Sequence, residues 1–122
     1  MTSFELGDSV VLEPRGDLFA GPTCDDMERS LLALAERGRR VVVDLSEAHQ
    51  LSARGLGILA HAQSVAARRG GRIVLCGASR VQRWLLSRTG LIDVFELYPT
   101  RASAIHEHFG GGLSPSRAAA RP

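Results

Sequence analysis

Apolar positions along the chain change period several times, and each change marks an element. Phe4 to Leu12 is rich in apolar and β-branched residues around a turn at Gly7-Asp8, and Pro14, Gly16 and Gly21 punctuate the next stretch of chain. This predicts short strands over 4–6 and 9–14 and an extended piece over 17–20. Thr23-Cys-Asp-Asp26 has capping-box spacing and comes directly after Pro22, so a helix starts there. Its apolar face is Met27, Leu31, Leu34 and Ala35, its wet face is Glu28, Arg29, Glu36 and Arg37, and Gly38 closes it.

Arg40-Val-Val-Val-Asp-Leu-Ser46 and Arg72-Ile-Val-Leu-Cys-Gly77 are runs of the kind found in strands covered on both faces. Between them Gly55, Leu59, Ala62 and Ala66, flanked by Ile58 and Val65, share one face of a helix over 53–69. Strand, helix and strand make a βαβ crossover, which sets the two strands parallel. Ser79-Arg-Val-Gln82 is a second capping box; Val81, Trp84 and Leu85 form the expected apolar stripe of a helix over 80–89, and Gly90 stops it. Leu91, Ile92, Val94, Phe95 and Leu97 suggest a last strand near 94–97, and Thr100 caps a helix running towards Phe109. The expected order is ββαβαβαβα, a domain over 1–109. From Gly110 the residues are mainly Gly, Ser, Pro, Ala and Arg without apolar periodicity, so 110–122 is expected to be a flexible C-terminal tail.

Composition adds little and excludes much. A chain of 122 residues, 44% hydrophobic and 23% charged, suits one packed domain. The net charge is only +2, all 15 basic residues are arginines spread along the chain, and aromatics make up 5%. No direct nucleic-acid partner is expected from that distribution. Cys24 and Cys76 lie far apart, with no metal-ligand or redox spacing, and read as buried free thiols. Neither a signal region nor an apolar run of the roughly 20 residues a bilayer requires is present, so a cytoplasmic protein without membrane insertion is expected.

Candidate chemistry concentrates in Leu51-Ser-Ala-Arg-Gly-Leu-Gly-Ile-Leu59, where a strand and its loop run into a helix start whose free N–H groups favour anions. This segment resembles the Asp-Ser-x-Gly-x-Gly-x-Leu signature of STAS domains, including bacterial anti-sigma-factor antagonists; Gly55, Gly57 and Leu59 match it. The likeness extends to Gly16-Asp-Leu18, Val41-Val-Val-Asp-Leu45, Ile73-Val-Leu-Cys-Gly77, Val81, and Leu85 through Gly90-Leu91, covering roughly residues 4–109. It implies an α/β domain with a mixed central sheet of about four or five strands and helices mainly on one side.

In that family a serine or threonine after the aspartate position is phosphorylated by an anti-sigma factor, a histidine-kinase-like ATPase acting as a serine kinase. Aligning the glycines places Ser52 at the aspartate and Ala53 at the phosphosite, and alanine has no hydroxyl to modify. The resemblance therefore implies a non-enzymatic module that binds an anti-sigma factor to release a sigma factor, through Ser52, Ala53, Arg54, Gly55 and Gly57. Alternatives are a structural STAS subunit of a stressosome-like or lipid-transport ABC assembly, or a domain binding a small ligand or nucleotide at the helix start.

Individual residues carry plainer readings beside these. Ser52 can be an N-cap or an alternative phosphoacceptor. Arg54 is a cation in the first helical turn, where it is mildly disfavoured; it reads as a solvent-exposed side chain or as one that faces an acidic partner surface. Gly55 and Gly57 weaken an early helix, which points to close backbone approach by a neighbouring strand or a partner. His49, His61, His106 and His108 lack metal spacing, Asp44 and Glu47 lack a nucleophile beside them, and no cofactor motif is present; Phe19, Trp84 and Phe109 read as core or edge anchors.

Overall fold

A computed structural model describes residues 2–6, 9–18 and 22–106. The strands are β1 (Thr2–Leu6), β2 (Ser9–Glu13), β3 (Gly16–Leu18), β4 (Arg40–Asp44), β5 (Ala48–Leu51), β6 (Arg72–Cys76) and β7 (Leu97–Tyr98). The helices are α1 (Pro22–Glu36), α2 (Ala53–Arg68), α3 (Arg80–Arg88) and α4 (Arg101–Ala104), with a 3₁₀ turn over Leu91–Asp93. β1, β2, β4, β6 and β7 form a five-stranded sheet in that order. Only the β1–β2 pair is antiparallel; β2–β4, β4–β6 and β6–β7 are parallel, so the sheet is mixed.

Strand alternation sorts the β-branched runs onto two faces. Val10, Leu12, Val41, Val43, Ile73 and Leu75 share the larger core with Met27, Leu31 and Ala35 of α1 and with Leu59, Ala62 and Ala66 of α2. Val11, Val42, Val74 and Cys76 point the other way, against Ala104, with Tyr98 and Ile105 beside them. This explains why β4 and β6 show no polar alternation: α1, α2 and α3 cover one face and α4 the other. The expected crossover is present, since β4 and β6 pair in register from Arg40↔Arg72 to Asp44↔Cys76.

Turn chemistry sets the helix ends. Gly38 has φ +68°, and a Cβ there would come within 2.5 Å of the Arg69 carbonyl oxygen, so glycine lets the turns after α1 and α2 pack together. α1 begins at Pro22, so Thr23 lies within the helix and is not the N-cap of the expected capping box; proline is favoured at a first helical position, where it gives up no hydrogen bond.

Three expectations need correction. His49 and its neighbours form β5, which pairs in parallel with β3 as a separate two-stranded sheet; Ala48-His-Gln-Leu51 is too short and too polar to announce itself as a strand. The last strand lies at 97–98, because Leu91-Ile-Asp93 winds into a 3₁₀ turn that helps carry Phe95 into the core. The stripe of α3 is also rotated: Gln82 and Leu86 are buried, whereas Val81 and Trp84 are 66% and 57% exposed. Trp84 is therefore not a core anchor. Phe19, His108, Phe109 and the expected 110–122 tail lie outside the described residues.

Candidate functional site

The end of β5 delivers the chain straight into α2. Ser52 is the N-cap, with φ −106° and ψ 174°, and its Oγ accepts a hydrogen bond from the Gly55 N–H at 3.2 Å. That bond satisfies one of the helix's otherwise unpaired donors. Ala53 is the first helical residue and is exposed, as are Arg54 and Gly57. Gly55 is buried with Leu56, Ile58 and Leu59. The five candidate residues thus form one turn, with Gly55 facing in and Ala53, Arg54 and Gly57 facing out.

Arg54 finds its acids within the chain. Its Nη2 lies 2.8 Å from Asp25 Oδ1 and 3.1 Å from Glu28 Oε1, both on α1. These hydrogen bonds raise its already high pKa and explain how a cation is tolerated where the helix dipole is positive. An acidic partner surface is not needed to account for it. The same guanidinium ties the α2 turn to α1, close to the buried Cys24, whose thiol pKa is raised by burial despite the nearby Arg54.

Gly57 differs from the expectation of packing within the chain. A Cβ added there would meet nothing within 4 Å. No backbone of the described residues approaches this point, and the helix surface here is bare. Beside the turn lies a depression of about 480 Å³ lined by His49, Leu51, Ser79, Val81, Gln82 and Leu85. Gln82, 1% exposed, closes it from within: its Oε1 accepts from the Ser79 N–H at 2.8 Å and its Nε2 donates to the Ala48 carbonyl at 2.8 Å. The capping box on Ser79 and Gln82 is present as expected, and Gln82 also fastens α3 to β5.

At the other candidate position, Asp44 is 5% exposed and serves the fold. Its Oδ2 lies 2.9 Å from Arg101 Nη2, which also lies 3.1 Å from Glu13 Oε2, and its Oδ1 accepts from the Ser46 N–H at 3.0 Å. Burial pushes its carboxyl pKa up, but hydrogen bonds from Ser46 and Arg101 together outweigh this and hold it below the usual carboxylate value. Gly77, with φ +69°, leaves room for this cluster, since a Cβ there would meet Asp44 Oδ1 at 2.9 Å. The neighbouring Cys76 thiol is pushed up to about 12, first by burial and then by the Asp44 charge, so it stays protonated. Glu47 is exposed and lies 4.0 Å from Arg15. His49, His61 and His106 are exposed, and among the described residues no group of three or more His, Cys, Asp or Glu could hold a metal ion. No helix among the described residues is long and apolar enough to cross a membrane.

Several solved structures share this architecture. An anti-sigma factor antagonist from Mycobacterium paratuberculosis matches with a TM-score of 0.75 and 24% identity, over 86% of this chain and 89% of that one. The anti-sigma factor antagonist SpoIIAA in its unphosphorylated form matches with a TM-score of 0.71 and 12% identity, over 90% and 97%. A sulfate transporter family protein from Wolinella succinogenes matches with a TM-score of 0.70 and 20% identity, over 81% and 83%. Identities this low speak for the fold alone. No curated protein matches the chain in sequence. The family model of the STAS domain matches residues 4–104, nearly the whole described structure, and the chain belongs to the STAS domain family.

Proposed function

We propose that this STAS domain is an anti-sigma-factor antagonist: it binds an anti-sigma factor of the histidine-kinase-like ATPase type through the α2 turn and so releases a sigma factor. The observation that carries this reading is the turn itself. Ala53, Arg54 and Gly57 lie exposed on the first turns of α2, the helix bearing the segment that resembles the family signature, and the outer surface at Gly57 is bare. Likeness of fold to several anti-sigma factor antagonists supports the same reading. The module works by binding and not by catalysis: the exposed turn offers a surface, while Asp44, Arg101 and Glu13 are held in a structural ion-pair cluster.

Ala53 stands at the phosphosite-equivalent position, so the usual switch, a phosphate adding about −1.5 to −2 charges at the docking surface, does not operate there. Ser52 is the nearest hydroxyl, but its Oγ accepts the capping bond from Gly55, and one residue around a helix start turns a side chain by about 100°. The protein is then held in its binding-competent state and controlled by its abundance or by the state of its partner.

The test uses the partner ATPase purified with ATP. Ala53→Asp should weaken the complex about tenfold to a hundredfold by placing charge on the docking surface. The wild type should take up no stoichiometric phosphate, whereas Ala53→Ser should become phosphorylated. Unchanged affinity in a folded Ala53→Asp variant would remove the turn from the interface. Phosphate on Ser52 that releases the partner, and is lost in Ser52→Ala, would overturn the phosphorylation-independent reading.

A further inference from the structure

The rotation of α3 leaves a surface that the antagonist reading does not use. Arg80, Val81, Arg83, Trp84, Ser87 and Arg88 are all exposed on this helix, while Gln82 and Leu86 face the core. The outer face carries three arginines and no acid, with the chain's single tryptophan among them. Arg88 lies over the Trp84 ring, 5.3 Å from its centroid. Among the described residues no carboxylate pairs with Arg80, Arg83 or Arg88. Val81 lines the depression shared with His49, Leu51, Ser79, Gln82 and Leu85, and Arg83 lines a second one with Ala78, Leu97, Tyr98 and Pro99.

We propose that the outer face of α3, centred on Trp84 and Arg83, is a second docking surface for a polypeptide segment of another protein that carries both carboxylates and apolar side chains. Charge complementarity is the first ground. Three like charges on one short helix repel one another, and an acidic segment relieves that. The second is the residue set, because tryptophan and arginine are the types most enriched among residues that dominate protein interfaces. A tryptophan 57% exposed and a valine 66% exposed, at an i, i+3 spacing, bring apolar area to the contact. The flanking depressions accept side chains on either side of the helix.

Other occupants fit less well. A second copy of this chain is poorly supplied with carboxylates: of the acids whose side chains are described, only Glu36 and Asp93 lack an arginine partner. A nucleic acid would find on this face only one ring for stacking. The inference does not rest on the anti-sigma-factor reading. Its probe contains no anti-sigma factor, so either can fail while the other stands.

The full chain, immobilised, is panned against a display library of random peptides, and the recovered sequence is synthesised for titration. Because Trp84 is the only tryptophan, its emission should shift to the blue on binding. Recovered peptides should be enriched in Asp and Glu interleaved with apolar residues, and added salt should weaken them. By anisotropy of the labelled peptide, Arg83→Glu and Trp84→Ala should each weaken binding about tenfold or more, with unchanged circular dichroism, whereas Ala53→Asp should not. The proposal is overturned if no acidic sequence is enriched, or if binders keep their affinity in both α3 variants. Tighter binding of a single-stranded oligonucleotide of equal charge overturns it, as does a dimer in sedimentation that Trp84→Ala abolishes.

Discussion

Gly57 separates what the fold needs from what a partner needs. It lies inside α2, where glycine is less favourable than alanine by about 0.8–1.0 kcal/mol in a helix interior. A Cβ there would meet nothing within 4 Å, so no repulsion offsets the gain from replacing it. Gly57→Ala should therefore stabilise the domain by about 0.4–1 kcal/mol, through helix propensity and a less flexible unfolded chain. For a domain of this size that raises the midpoint of thermal unfolding by about 2–6 °C. Gly57→Leu has similar room to project into solvent and should also leave the fold intact. If the anti-sigma factor approaches the bare surface between Ala53 and His61, the leucine side chain stands where partner atoms sit, weakening the complex about tenfold or more. Thermal unfolding by circular dichroism and titration calorimetry with the partner read the two effects separately. A destabilised Gly57→Ala variant would refute the stability argument, and an undiminished affinity of Gly57→Leu would refute the docking surface.

The remaining expectations concern stability and reactivity. Asp44→Asn should destabilise the domain by about 1–3 kcal/mol near neutral pH, less than a fully buried pair because Arg101 is partly exposed. The folded-state pKa of Asp44 is depressed, so its contribution is present above the unfolded value and is lost as pH falls through the lower folded one. Denaturant unfolding should show wild type and variant converging only in strong acid, and a constant gap would show that charge is not the cause. Gln82→Met removes the bonds to Ser79 and Ala48, leaves a buried carbonyl unpaired, and should cost about 1–3 kcal/mol in the same assay; a neutral result would mean water replaces the amide. Neither Cys24 nor Cys76 should react with iodoacetamide in the native protein, both being buried with raised pKa values, whereas both should react after unfolding; native labelling at mildly alkaline pH, read by mass, would contradict the packing.

Periodicity was sufficient wherever an element's environment is uniform along its length. Met27, Leu31 and Ala35 on α1, and Leu59, Ala62 and Ala66 on α2, are buried as their spacing implied, because burying one apolar stripe is the only way such helices gain from folding. The unbroken runs of β4 and β6 correctly implied cover on both faces. Caps at Ser52, Ser79 and Thr100 were legible for the same local reason, a hydroxyl in reach of the first helical N–H groups.

Decisions that depend on distant partners were not legible. Hydrophobicity assigned Val81 and Trp84 to the inside of α3, yet Gln82 is inside, because its amide meets Ala48, 34 residues earlier, and once paired it loses little by leaving water. Arg54 looked unsatisfied until α1 brought Asp25 and Glu28 beside it, 29 and 26 residues away in the chain. β5 exists because β3 pairs with it, and its own residues carry no strand pattern. Gly57 read from sequence alone as close approach by a neighbouring strand or a partner, and only the packed structure shows that no strand of the described residues approaches it. The sequence by itself determined the stripes, caps and element order, because those depend on neighbours within a few residues. The tertiary structure decided which polar groups could be buried and which apolar ones had to remain outside, since that depends on partners that folding alone brings together.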